Sequence, residues 1–165
     1  MRFAYADPPY LGVCRRYGHR HEEPYGCWDD IATHAVLISR LADYDGWALS
    51  SGAKMLRDIL TICPDDVRVA AWAKPWAVFL PNVNPAYCWE AVIFRGARRR
   101  SRADLTVRDY LVEPMTMQRG LVGAKPERFC RWVSQLLGVR DCDTLDDLFP
   151  GTGVMNKTLA QQVIL

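Results

Sequence analysis

The sequence contains no C-x-x-C pair, no apolar run of membrane-spanning length and no internal repeat. Each absence removes a class of protein. The six cysteines stand apart, at 14, 27, 63, 88, 130 and 142, and a chain long enough to bury its own core needs no disulfide frame. Reduced thiols are therefore expected. The most apolar stretch, residues 69–80, carries Lys74, Pro75 and two tryptophans and falls short of the roughly 18–20 residues of a membrane span. The N-terminal apolar run breaks at Asp7, so it does not read as a secretory signal. Net charge is nearly absent, formally +2 over 165 residues, and no long run of one sign marks a charged tail. These absences predict a single cytoplasmic domain over residues 1–165 with no membrane partner.

What is present alternates between strands and helices. Residues 2–6, 46–50, 67–73, 87–95 and 144–149 read as strands. Residues 30–43, 53–63, 127–137 and 154–163 read as helices, with Asp30 available as a cap and with Pro126 and Gly138 bounding the third. Residues 104–117 read as a short strand or turn and a loop. Such alternation predicts an α/β fold, a mostly parallel sheet with helices on its faces. Ligands of such sheets bind beyond the C-terminal ends of the strands. Two strand ends stand out: Asp7-Pro8-Pro9-Tyr10, and Phe149-Pro150-Gly151-Thr152-Gly153.

The glycine turn comes close to a phosphate loop, but Asn156 replaces its last glycine and too little chain follows to complete a nucleotide-binding sheet of that kind. It reads instead as a turn from strand to helix, where free N–H groups at the helix start can meet a carboxylate. Asp146 and Asp147 alternate along the preceding strand, so they face opposite sides of the sheet.

The Asp-Pro-Pro-Tyr turn carries a specific chemistry. The exocyclic amino group of a base is a poor nucleophile, because its lone pair is delocalised into the ring. A carboxylate and a backbone carbonyl that accept its two N–H bonds favour a pyramidal nitrogen and free the lone pair. Asp7 and the Pro8 carbonyl are those acceptors, Pro9 holds the turn without a competing N–H, and Tyr10 offers a stacking face for the base. Asp7-Pro8-Pro9-Tyr10 resembles the catalytic motif of amino-group DNA methyltransferases, which act on adenine N6 or cytosine N4. Asp147-Leu148-Phe149-Pro150-Gly151-Thr152-Gly153 resembles their S-adenosyl-L-methionine motif, and Lys125-Pro126 resembles the cofactor-side segment of their circularly permuted members. The strands at 46–50, 69–75 and 85–96 are similar to those of small phage and actinobacterial examples.

The resemblance implies a Rossmann-like, circularly permuted methyltransferase fold lacking one or two edge strands. It implies methyl transfer from S-adenosyl-L-methionine to a DNA amino group, with adenine N6 favoured, in a bacterial or phage-infected bacterial cell. Asp7, Pro8, Pro9 and Tyr10 would be catalytic. Lys125, Asp147, Phe149, Pro150, Gly151, Thr152 and Gly153 would hold the cofactor. An acid for the cofactor ribose is not found near the end of the chain. A homodimer or a partner subunit covering the sheet edge is therefore expected, and a catalytically weak DNA-binding or partner subunit is the alternative. Carbon-5 methylation is not expected, because the chain has Cys63-Pro64 and no Pro-Cys.

Double-stranded DNA is the expected partner. Its candidate contacts are Arg15, Arg16, His19, Arg20 and His21, in a substrate-side loop over residues 11–30, and Arg95, Arg98, Arg99, Arg100 and Arg102, in a basic loop over residues 95–103. Cys14, His19, His21 and Cys27 match no standard zinc spacing, so no metal is expected. Trp47, Trp72 and Trp89 read as sheet residues, Trp28 as packing for the early loop, His34 as a surface or packing residue, and Glu90 as the partner of an arginine.

Overall fold

The computed structural model describes residues 1–12, 27–77, 79–116, 124–151 and 153–155. They form a six-stranded sheet: β1 (Arg2–Ala6), β2 (Gly46–Gly52), β3 (Arg68–Ala73), β4 (Trp89–Arg95), β5 (Tyr110–Val112) and β6 (Thr144–Asp147). Its order is β5-β3-β4-β2-β1-β6. Helices α1 (Ile31–Leu41) and α2 (Leu56–Leu60) cover one face, and α3 (Glu127–Leu137) covers the other. No described helix is long and apolar enough to cross a membrane.

Alternation along the strands divides the core. Phe3, Tyr5, Ala48, Val92 and Phe94 point to the α3 side and pack with Phe129, Val133 and Leu137. Ala4, Ala6, Trp47, Leu49 and Ile93 point to the other side and pack with Leu37, Ile38, Leu41 and Ile59. Each large apolar side chain so buried contributes about 1.5–3 kcal/mol. Helix α1 starts where the Asp30 side chain accepts the Ala32 N–H at 3.0 Å. Helix α3 stops at Gly138, whose φ of +72° suits glycine.

The sheet departs from a mostly parallel arrangement at β4. Strand β1 lies parallel to β2 and β6, and β3 lies parallel to β5, but β4 runs antiparallel to both β2 and β3. A parallel return from β3 would need a crossover, usually a helix. The connection over residues 74–88 holds Pro75, Pro81 and Pro85 and forms no helix among its described residues.

Several predicted elements are shorter than expected, two of them for a visible local reason. The strand at 144–149 ends at Asp147, because the Phe149 N–H turns back onto Asp147 Oδ1 at 3.1 Å. The helix at 53–63 opens as a 3-10 turn over Ala53–Met55, without a side-chain cap, and its α-helical part closes at Leu60, where Thr61 Oγ1 donates to the Asp58 carbonyl. Of the helix expected at 154–163, only Val154 and Met155 are among the described residues.

Candidate active site

Strand register brings distant residues to one edge of the sheet. Tyr5 pairs with Asp147, and Ala6 pairs with Leu49. Asp7, the end of β6 and Ser50 therefore share the C-terminal edge. Because β4 is reversed, its beginning reaches the same edge: Glu90 lies between Gly52 of β2 and Trp72 of β3. Lys125 arrives from the segment before α3.

Lys125 is the hub. Its ammonium lies 2.9 Å from Asp7 Oδ1 and 3.3 Å from Glu90 Oε2. It sits 5.5–5.9 Å from the ring centres of Tyr10, Trp72 and Phe129, within cation–π range. Lys74 bonds the other oxygen of Glu90. The Tyr10 hydroxyl donates to Glu90 Oε2 at 2.7 Å and lies 3.4 Å from Asp7 Oδ1. A side chain at Gly52 would come within 3.2 Å of the Tyr10 ring, so the glycine leaves room for it. Beneath, the Tyr5 hydroxyl and Ser50 Oγ form a buried hydrogen bond of 2.8 Å.

The protonation states follow. Burial raises the Asp7 carboxyl above the usual range, against the opposing pull of Lys125. Burial also acts against ionised Glu90, but Lys125 and Lys74 outweigh it and bring the group to about 2. Lys125 itself is held well above its ordinary range: burial works against its charge, and Asp7 and Glu90 overcome it. Tyr10 stays a phenol, because burial and then the two carboxylates disfavour its anion. Asp7 Oδ1 is taken by Lys125 and Tyr10, while no described residue bonds Asp7 Oδ2.

Asp147 stands apart from this balanced set. It is pushed up to about 6 by burial, with the nearby Asp7 charge adding to the effect. Its hydrogen bond within the described residues comes from the Phe149 N–H, and no cation pairs with it there. Asp146 faces the other way, accepting the Tyr44 hydroxyl at 3.0 Å, as strand alternation requires. Beyond Asp147, Gly151 and Gly153 take φ values of +44° and +70°, and a side chain at Gly153 would meet nothing within 4 Å. Phe149 packs edge-on against buried Trp28, whose carbonyl bonds His34. This contact ties the turn to α1 and makes His34 a packing residue.

The structure therefore gathers Asp7, Pro8, Pro9, Tyr10, Lys125, Asp147, Phe149, Pro150, Gly151 and Gly153 at or near one edge. Thr152 lies outside the described residues, as do Arg15, Arg16, His19, Arg20 and His21. The basic stretch lies elsewhere. Arg95 pairs with Trp47 at the opposite end of β4, about 17 Å along the strand from Glu90. Arg95 bonds Asp66, Arg98 bonds Asp143, and Arg100 bonds the carbonyls of Leu105 and Gln135. Arg99 and Arg102 are exposed. Among the described residues no acid, histidine and cysteine cluster suits a metal ion.

Glu90, Lys74 and Trp72 were not legible as site residues. Glu90 is paired with two lysines, not with an arginine, and only the reversal of β4 brings it to this edge.

No protein-family model matches the sequence, and no curated protein matches it. Solved structures do. The chain is similar to the M1.HpyAVI–SAM complex, with a TM-score of 0.60 and 13% identity over 96% of this chain and 77% of the other. It is also similar to M1.HpyAVI alone, with a TM-score of 0.59 and 13% identity over 98% of this chain and 76% of the other. The likeness at this identity is one of fold: the chain shares the α/β architecture of M1.HpyAVI.

Proposed function

We propose that this protein transfers a methyl group from S-adenosylmethionine to the exocyclic amino group of a DNA base, adenine N6 in preference to cytosine N4. The observation that carries the reading is Asp7: a half-buried carboxylate at a strand end, with one oxygen anchored by Lys125 and Tyr10 and the other left to a ligand.

The residues suit the cofactor. Asp7 and Glu90 are balanced by Lys125 and Lys74, which leaves Asp147 as a desolvated carboxylate without a cation among the described residues. Beside it lies an open glycine turn. Such a site favours a ligand that brings positive charge. Asp147 and the turn at Phe149, Pro150, Gly151, Thr152 and Gly153 would hold it. When bound, S-adenosylmethionine supplies a methyl group on a positively charged sulfur.

The chain's own residues supply positioning and electrostatics. Asp7 Oδ2 and the Pro8 carbonyl accept the two N–H bonds of the target amino group. Lys125 keeps Asp7 ionised, so that it accepts rather than donates. Asp147 and the glycine turn would hold the cofactor so that its methyl carbon is given to that nitrogen, its sulfur keeping the electron pair of the bond given up. The nitrogen becomes acidic, and Asp7, whose proton affinity burial has raised, is placed to take its proton. Tyr10 presents its ring to the base while Glu90 fixes its hydroxyl.

M1.HpyAVI is described as a complex with SAM, which supports the cofactor assignment. Strand β6 has no neighbour on its outer side among the described residues. A second copy or a partner subunit over that edge belongs to the proposal.

The deciding experiment incubates the protein and Asp7→Ala with radiolabelled S-adenosylmethionine and unmethylated duplex DNA, followed by digestion to nucleosides. Label in N6-methyladenine that is absent from the variant is expected. Label in N4-methylcytosine would correct the base, and no label from folded protein would overturn the reading.

A further inference from the structure

A cleft of about 720 Å³ lies beside α3, away from the Asp7 pocket, between the helix, β5 and the loop that follows β4. Seven arginines line it, and Asp104 is the acid among its described lining residues. The placement follows from helix geometry. Arg128, Arg131 and Gln135 share the exposed face of α3, opposite Phe129, Val133 and Leu137. This face begins one turn after Lys125-Pro126 at the active-site edge. It ends, about 15 Å further on, at Gly138, where Arg98 caps the helix by bonding the Gly138 carbonyl.

The arginines divide by role. Arg98 and Arg100 serve the fold: the first is tied to Asp143, and the second to the Leu105 and Gln135 carbonyls. The others are lightly held. The partners of Arg128 and Arg131 are Glu113 and Glu127, with the arginine side chains 69% and 48% exposed, and such pairs exchange readily for another anion. Arg108 bonds the Tyr110 hydroxyl and lies 5.8 Å from the ring centre. Arg99 is exposed at the rim.

We propose that this cleft binds the phosphate backbone of the duplex DNA substrate, with Arg99, Arg108, Arg128 and Arg131 as the contacts. The proposal rests on DNA being the substrate. The helix joins the two sites: the segment leading into it holds Lys125 against Asp7, and its exposed face carries the arginine track away from there. Backbone contacts along it position the duplex without reading its sequence, and four flexible guanidiniums suit phosphate better than any single small anion.

The test measures binding of a short labelled duplex over a salt series, for the wild type, for Arg99→Gln/Arg128→Gln/Arg131→Gln, and for Arg40→Gln/Arg57→Gln on the α1–α2 face. All are checked for folding by circular dichroism and for binding of S-adenosylmethionine. The cleft variant is expected to bind at least about 10-fold more weakly, with a salt slope shallower by about 0.9 for each phosphate no longer neutralised. Its cofactor affinity should match the wild type. Duplex affinity unchanged in the cleft variant, or reduced as much in the control, overturns the cleft and leaves the methyl-transfer reading standing. No duplex binding by the wild type, with cofactor still bound, overturns the cleft and the DNA assignment together. Selective loss of duplex binding in a protein that transfers no methyl group upholds the cleft and overturns the catalytic reading. Tighter binding of single-stranded RNA than of the duplex overturns the cleft's assignment to DNA.

Discussion

Lys125 Nζ lies 2.9 Å from Asp7 Oδ1, joining the segment before α3 to the turn after β1. The same ammonium reaches Glu90, so one cation links two carboxylates and, through them, the Tyr10 hydroxyl. The pocket's geometry depends on this link, and so do its protonation states.

Asp7→Asn keeps the shape of the side chain and loses its charge. Its amide would place a donor where an acceptor is needed. Methyl transfer is expected to fall at least about 10²–10³-fold, the scale of removing one preorganised hydrogen-bonding group, while the dissociation constant for S-adenosylmethionine changes little. Single-turnover label transfer and a cofactor titration check the two halves.

Lys125→Met leaves Asp7 without its ion pair in a largely enclosed site. Breaking such a pair costs about 3–5 kcal/mol, read by urea unfolding at neutral pH. The Asp7 carboxyl would rise further, so any residual activity should need higher pH than in the wild type. Lys125→Arg should recover more stability than activity, because its planar fork cannot reproduce a point charge shared between two carboxylates.

Glu90 is held at about 2 in the fold, below an unfolded value of about 4.3. The native state thus binds this proton less tightly than the unfolded chain. Its contribution to stability is complete above the unfolded value and is lost as pH falls towards 2. Glu90→Gln is expected to reduce stability at pH 7 and to flatten its decline between about pH 5 and 2, as followed by urea unfolding. Its effect on kcat should exceed that on cofactor affinity, since Tyr10 loses its strongest anchor.

Asp147 shifts in the other direction, to about 6. The folded protein holds this proton more tightly, so the group's contribution to stability falls as pH rises from about 4 to about 6. A cationic ligand reverses the preference by binding the ionised form. Affinity for S-adenosylmethionine should therefore strengthen about 10-fold between pH 5 and pH 7. Asp147→Asn should weaken binding at pH 7 and remove most of that dependence. Calorimetric titration at several pH values measures both effects.

Gly52→Ala tests the Tyr10 seat. The added carbon would approach the ring at 3.2 Å, while Glu90 holds the hydroxyl. Overpacking of this kind costs about 1–3 kcal/mol. The expected signature is a loss of transfer rate larger than the loss of stability, from kinetics and thermal unfolding of one preparation.

Much of this protein was legible in local chemistry. Short continuous apolar runs announced β1, β2 and β4, Asp30 and Gly138 marked helix ends, and the two prolines after Asp7 marked a strand end that carries a carboxylate. These signals act over a few residues, through backbone sterics and side-chain periodicity, so one chain segment suffices to read them. The pairing of distant segments is different, because no local pattern encodes which strands become neighbours or in which direction. The reversal of β4 moved Glu90 into the pocket and carried the arginine stretch to the far edge. The fold of α3 over the sheet seated Lys125 on Asp7 and turned Arg128 and Arg131 outward. The sequence by itself determined the elements and the chemical groups at their ends. The tertiary structure decided which of those groups meet, because burial and charge balance exist only once distant strands have paired.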